Sequence, residues 1–294
     1  MRDPLQLDGV RFDHRMIDVE DGLSIRVLHW RPGSSAKAPP VVFVPGWVSL
    51  VDGWIEVLRT MVTDREVVYV ETREKATARW RRPMAVDDFR IPKLADDLRA
   101  AWDAYDLGDR AVLFGSSLGG NAILEALKGS DPLPAAAAFC ICPNIRFEIP
   151  WWGHPLLRMP ATVYRLAVEP AIWYLRRFRV NTRHDPAQMR RYERTLRAAE
   201  PTRLLRSARA VVGYDARPAL DTVTAPVALA YSEADTLHGG EQVRELADAI
   251  PDARTIGCAS NTAMHRAEVV DALDEFVAQT TRSEERGDRP CRAG

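Results

Sequence analysis

The chain has 294 residues, long enough for one sizeable core or for a core with a small added lobe. A hydrophobic fraction of 46% is ordinary for a soluble globular protein, and a formal charge of -1 gives no overall basis for nucleic-acid binding. Met1 to Arg15 mixes charges without an apolar core, and no run approaches the roughly 18 apolar residues of a membrane span, so a cytoplasmic protein is expected.

In chain order, Leu23 to Trp30 alternates polar and apolar residues and predicts an edge strand ending at Arg31-Pro32-Gly33. Val41 to Val44 is a continuous apolar run closed by Pro45-Gly46, as expected of a strand buried on both faces. Trp54 to Met61 predicts a helix, Val67 to Val70 a short buried strand, and Leu94 to Leu107 a helix with Leu94, Leu98, Ala101, Trp102 and Tyr105 on one face. Ala111 to Phe114 predicts a strand running straight into Gly115, and Asn121 to Leu127 the helix after it. Ala135 to Cys142 is an alanine-rich strand candidate, on which Cys140 and Cys142 would share a face as buried thiols. Residues 144–210 break the alternation with helical segments around 156–178, 185–199 and 201–210. Val227 to Tyr231 resumes as a strand, Glu241 to Ile250 as a helix, Arg254 to Cys258 as a weak strand and Ala267 to Ala278 as a closing helix. The polar stretch 281–294 predicts a disordered tail.

Strands alternating with helices predict an α/β protein with a mostly parallel central sheet flanked by helices. The expected layout is a core of 1–143 and 211–280, with 144–210 as a helical cap over the carboxyl ends of the strands, where open α/β sheets bind ligands.

The sharpest motif is Gly115-Ser116-Ser117-Leu118-Gly119, a G-x-S-x-G pattern between a predicted strand and a predicted helix. A serine on such a strained turn needs small neighbours two residues away, and the following helix turns its free amide N–H groups toward the site. The run from Val112 to Asn121 resembles the nucleophile elbow of the α/β-hydrolase superfamily, and Val41 to Trp47 its oxyanion strand and turn. Ala225-Pro226-Val227 through Asp235 is similar to the strand that presents the acid. The likeness runs from about Leu23 to Phe276 and is weak within 144–210.

That resemblance implies a serine hydrolase with Ser117 as nucleophile and a cap inserted after the sixth strand of the family count. It places the triad in the chain order serine, acid, histidine. Of His14, His29, His154, His184, His238 and His265, only the last three lie comfortably downstream, and His265 stands where the family places its base. Asp235 is the expected acid, with Glu233 its nearest competitor; Ser232 stands where Gly is commoner. The oxyanion donors would be the backbone N–H groups of Leu118 and Trp47. Pro45-Gly46 replaces the family's common His-Gly, and Glu71-Thr72-Arg73-Glu74-Lys75 departs from its Asp-x-Arg-Gly-x-Gly turn at the glycines.

Residues 144–210 carry fourteen arginines against five acidic residues. A solvated face is the plain explanation; a landing surface for an acidic carrier protein or an anionic surface is the sharper one. Trp151, Trp152 and His238 are candidates for the pocket lining, and the aromatics of this stretch favour a hydrophobic acyl group. No metal or dinucleotide signature is present, and no cofactor is expected. The expected activity is hydrolysis of a small or medium hydrophobic carboxylic ester through an acyl-enzyme. Thioesterase, acyltransferase or C–C bond hydrolase chemistry on the same triad, or a non-catalytic binding protein of the same fold, are the alternatives.

Overall fold

A computed structural model describes residues 5–147, 154–179, 185–233 and 240–285. The strands are β1 (Val10–Glu20), β2 (Leu23–Pro32), β3 (Val41–Val44), β4 (Val67–Val70), β5 (Arg79–Trp80), β6 (Val112–Ser116), β7 (Ala137–Ile141), β8 (Val227–Tyr231) and β9 (Ala253–Gly257). They form one sheet in the order β1-β2-β4-β3-β6-β7-β8-β9, with β5 paired to β2. From β4 to β9 every pairing is parallel; β1 and β2 form an antiparallel hairpin, and β2 runs antiparallel to β4.

The short apolar runs are the central strands because both faces of the sheet are covered. Along β3, Val42 and Val44 face one core while Val41 and Phe43 face the other, the two-residue period of a pleated strand. One core is closed by α2 (Ile91–Ala104), α3 (Leu118–Ala126) and α8 (Gly240–Ala249), the other by α1 (Ile55–Met61) and α9 (Glu268–Glu285). Between β7 and β8 come α4 (His154–Leu157), α5 (Ala161–Tyr174) with a π-helical continuation over Leu175–Arg179, α6 (Pro186–Ala198) and α7 (Pro201–Val211).

Three differences from the sequence reading have physical causes. Leu23–Pro32 is not an edge strand: β1 pairs along its whole length and takes the edge. The alternation in Val10–Glu20 passes for charged N-terminal sequence because only Ile17 of that strand is buried. Cys140 and Cys142 do not share a face: β7 ends at Ile141, and Cys142 has φ 46°. The left-handed residue turns its thiol into the opposite core, 3.8 Å from the Met264 sulfur. Both thiols are buried, and burial pushes the Cys140 thiol well above the ordinary range. Finally, α9 continues to Glu285, into the stretch expected to be tail.

Candidate active site

At the carboxyl end of β6 the chain turns into α3 through Ser117, which has φ 48° and ψ -115°. A non-glycine residue there is strained, and such strain persists only where the surroundings impose it. The Ser117 N–H donates to the Ile141 carbonyl at 2.7 Å, tying the turn to the end of β7. The two glycines of the motif are packing requirements. A Cβ on Gly119 would stand 2.1 Å from the Val44 carbonyl oxygen, and one on Gly115 would stand 2.5 Å from Ile123 Cδ1. Only bare backbone lets α3 begin this close to the end of β3, which presents the Ser117 side chain at the lip of the sheet.

An asparagine pair fixes the hydroxyl. Asn121 is fully buried on the first turn of α3. Its amide receives the Asn144 N–H at 2.9 Å and donates to the Asn144 carbonyl at 2.7 Å. Held at both backbone groups, Asn144 directs its own side-chain N–H onto Ser117 Oγ at 3.2 Å.

His265 closes a 3-10 turn (Ala263–His265) between β9 and α9. Its ring stacks on Trp54, with centroids 4.1 Å apart and planes inclined by 24°. Nδ1 lies 2.9 Å from the Asn261 carbonyl oxygen. A carbonyl only accepts, so Nδ1 carries the hydrogen, and in the neutral ring Nε2 is left as the acceptor. That is the tautomer a general base requires.

Ser117, His265 and Trp47 all line one cavity of about 370 Å³. The sheet side adds Val48, Trp54 and Ile141; the helical segment adds Leu175, Tyr192 and Leu196. The lining is largely apolar with a few polar groups, the usual composition of a small-molecule site. Leu118 is the first residue of α3, so its N–H is one of the helix's orphan donors.

The solved structures that superpose on this chain include a thermophilic esterase from Thermogutta terrifontis, at a TM-score of 0.70 and 18% identity over 91% of this chain and 99% of that one. A bromoperoxidase from Bacillus anthracis superposes at 0.69 and 16% identity, over 90% and 100%. An enol-lactonase from Burkholderia xenovorans LB400 superposes at 0.66 and 18% identity, over 94% and 98%. No protein-family model matches the chain, and no curated protein sequence matches it. This chain has the α/β-hydrolase fold. Identities this low carry the fold and not the reaction, as the spread of activities among those names shows.

Within this α/β-hydrolase fold the structure brings Ser117, His265, Trp47 and Leu118 to the same end of the sheet. Asp235, His238, Trp151 and Trp152 lie outside the described residues. Glu233, the competing acid, is exposed and forms an ion pair with Arg244 at 2.7 Å. Among the described residues, no group of three metal-ligating side chains occurs and no helix is long and apolar enough to cross a membrane.

Sequence reasoning missed Asn121 and Asn144, and it missed the clamp between the helical segment and the histidine loop. Asp185, the N-cap of α6, accepts from the Gln188 N–H at 2.9 Å and the Thr262 N–H at 2.7 Å, and from the Thr262 hydroxyl. Burial works to raise its carboxyl, but those donors and nearby Arg191 outweigh it and hold the carboxyl below the ordinary range. Arg191 of the same helix donates to Asn261 Oδ1 at 2.6 Å. Asn261 is the residue whose carbonyl orients His265. No local pattern marks these contacts, because the partners stand 23 positions apart in the asparagine pair and 70 to 77 apart in the clamp.

The arginine excess of 144–210 is largely used inside the chain. Arg146, Arg176, Arg194 and Arg197 pair with carboxylates, Arg191 binds Asn261 and Thr262, and Arg203, Arg206 and Arg209 donate to backbone carbonyls. Those eight have partners within the chain, and the four paired with carboxylates keep about half of their side-chain surface exposed.

Proposed function

We propose that this protein is a serine hydrolase that cleaves a carboxylic ester of a small or medium hydrophobic acyl group through an acyl-enzyme. The observation that carries the reading is a strained strand-to-helix serine opening into a mostly apolar cavity of about 370 Å³ that His265 also lines. His265 Nε2 takes the proton of Ser117, and Oγ attacks the ester carbonyl. The oxyanion is held by the N–H groups of Leu118 and Trp47. The imidazolium then protonates the leaving alcohol, the ester C–O bond breaks, and water repeats the sequence on the acyl-serine. Asp235 is the proposed acid, on sequence grounds. The esterase and the enol-lactonase among the similar structures are consistent with this chemistry. The helical segment 144–210 acts as a cap that supplies one wall of the pocket and so selects the acyl group.

Ser117→Ala is expected to lower kcat on p-nitrophenyl butyrate by about 10³-fold or more while the protein keeps its melting temperature within a few degrees. Full activity in that variant would refute the reading. Turnover of thioesters or diketones in preference to oxygen esters would assign the same serine to thioesterase or C–C hydrolase chemistry.

A further inference from the structure

The five consecutive residues Glu71-Thr72-Arg73-Glu74-Lys75 are all polar and all buried. Glu71 and Arg73 serve the body of the fold: Glu71 takes a two-pronged bond from Arg26 of β2, and Arg73 binds Asp97 of α2 and the carbonyls of Asp88 and Lys93. Glu74 and Lys75 reach the other way, under the turn after β3. Lys75 Nζ donates to the Gly46 carbonyl at 2.9 Å and to Glu74 Oε1 at 3.1 Å. The same Glu74 oxygen accepts the Val48 N–H at 3.0 Å and the Thr72 hydroxyl at 2.7 Å.

We propose that Lys75 and Glu74 are positioning residues for the oxyanion turn, holding and polarising the Gly46–Trp47 peptide so that the Trp47 N–H faces the oxyanion. This rests on the reading of that N–H as a donor in the reaction. The carbonyl that Lys75 grips belongs to the same peptide unit as the Trp47 N–H. In a planar trans peptide the C=O and N–H point in opposite directions. Anchoring the oxygen on the Lys75 side therefore aims the hydrogen to the cavity side, which Trp47 lines. No described residue accepts the Trp47 N–H. The next peptide is fixed as well: Val48 sits at φ 45°, a conformation a β-branched residue resists, and Glu74 holds its N–H. A cation on the carbonyl also draws electron density through the amide and strengthens the N–H as a donor, as in any chained hydrogen bond. Burying two charges is a poor route to stability when apolar residues could fill the space. A role in aiming and polarising a donor explains why the pair is there.

The test uses Glu74→Gln with Lys75→Met, which leaves no unpaired charge and keeps an acceptor for the Val48 N–H but removes the Lys75 anchor of Gly46, leaving that carbonyl only the turn bond from the Ser49 N–H at 3.1 Å. The readouts are kcat and KM for p-nitrophenyl butyrate and the affinity for an aliphatic trifluoromethyl ketone, which binds a serine hydrolase as a tetrahedral adduct. The expected result is kcat lowered by about 10- to 100-fold, on the scale of a weakened oxyanion donor, with ketone affinity falling in step and KM within about twofold. A folded double variant with kcat and ketone affinity within about twofold of the parent overturns the proposal. If the double variant does not fold, Thr72→Val, which removes one donor from Glu74, decides: a loss of kcat and ketone affinity of about threefold that Thr72→Ser restores supports it, and two indistinguishable variants overturn it. A parent enzyme that neither turns over esters nor binds the ketone would mean instead that the ester-hydrolase reading itself has failed.

Discussion

At the scale of single residues the serine turn is held by contacts that leave little slack. The Ser117 hydroxyl receives a bond from Asn144, and Asn144 is kept in place by both ends of the Asn121 amide. Asn121 has no exposed surface, so its removal leaves a backbone N–H and a backbone carbonyl of Asn144 without their partner. Each such orphaned group costs about 1–3 kcal/mol. Asn121→Ala should therefore lose roughly 2–6 kcal/mol of stability in urea unfolding, and its kcat should fall further than that of a surface variant of equal stability. Asn121→Asp should behave worse than Asn121→Ala, because a carboxylate would face the Asn144 carbonyl.

Among the elements, the coupling of α6 to the histidine loop is the feature with most consequence. Asp185 caps α6 and in the same stroke binds the N–H and hydroxyl of Thr262, three residues before His265. Asp185→Ala removes a helix cap and the clamp on that loop, and should lower kcat/KM by about tenfold, since small misplacements of a base are costly; steady-state kinetics at pH 8 would show it. The sign of the pH effect follows from the direction of the shift. The folded carboxyl binds its proton less readily than the unfolded one, so its contribution is complete above about pH 4 and is lost as the pH falls through the lower folded value. Melting temperatures of the parent and Asp185→Asn should therefore differ at pH 7 and converge toward pH 3. A difference that stays constant across that range would show that the Asp185 charge does not hold the clamp.

Over the whole molecule, the parts legible in the sequence are those set by local pattern. The buried parallel strands Val41–Val44, Val67–Val70 and Val227–Tyr231 match their apolar runs residue for residue, because a strand covered on both faces must be apolar throughout. Ser117 was legible because its turn imposes glycines at fixed spacing. The edge strand Val10–Glu20 was not, since solvent on one face lets charges occupy it. The Asn121–Asn144 pair, the Asp185–Thr262 clamp and the Glu74–Lys75 brace were not, since each joins segments that only the fold brings together. All of them converge on the cavity beside Ser117, and the account depends on that serine being the nucleophile. The most direct measurement is labelling of the purified protein with a fluorophosphonate probe, followed by identification of the modified peptide by mass spectrometry. The account predicts a single adduct on Ser117 that is lost in Ser117→Ala; no adduct, or an adduct that persists on another residue in that variant, would contradict it.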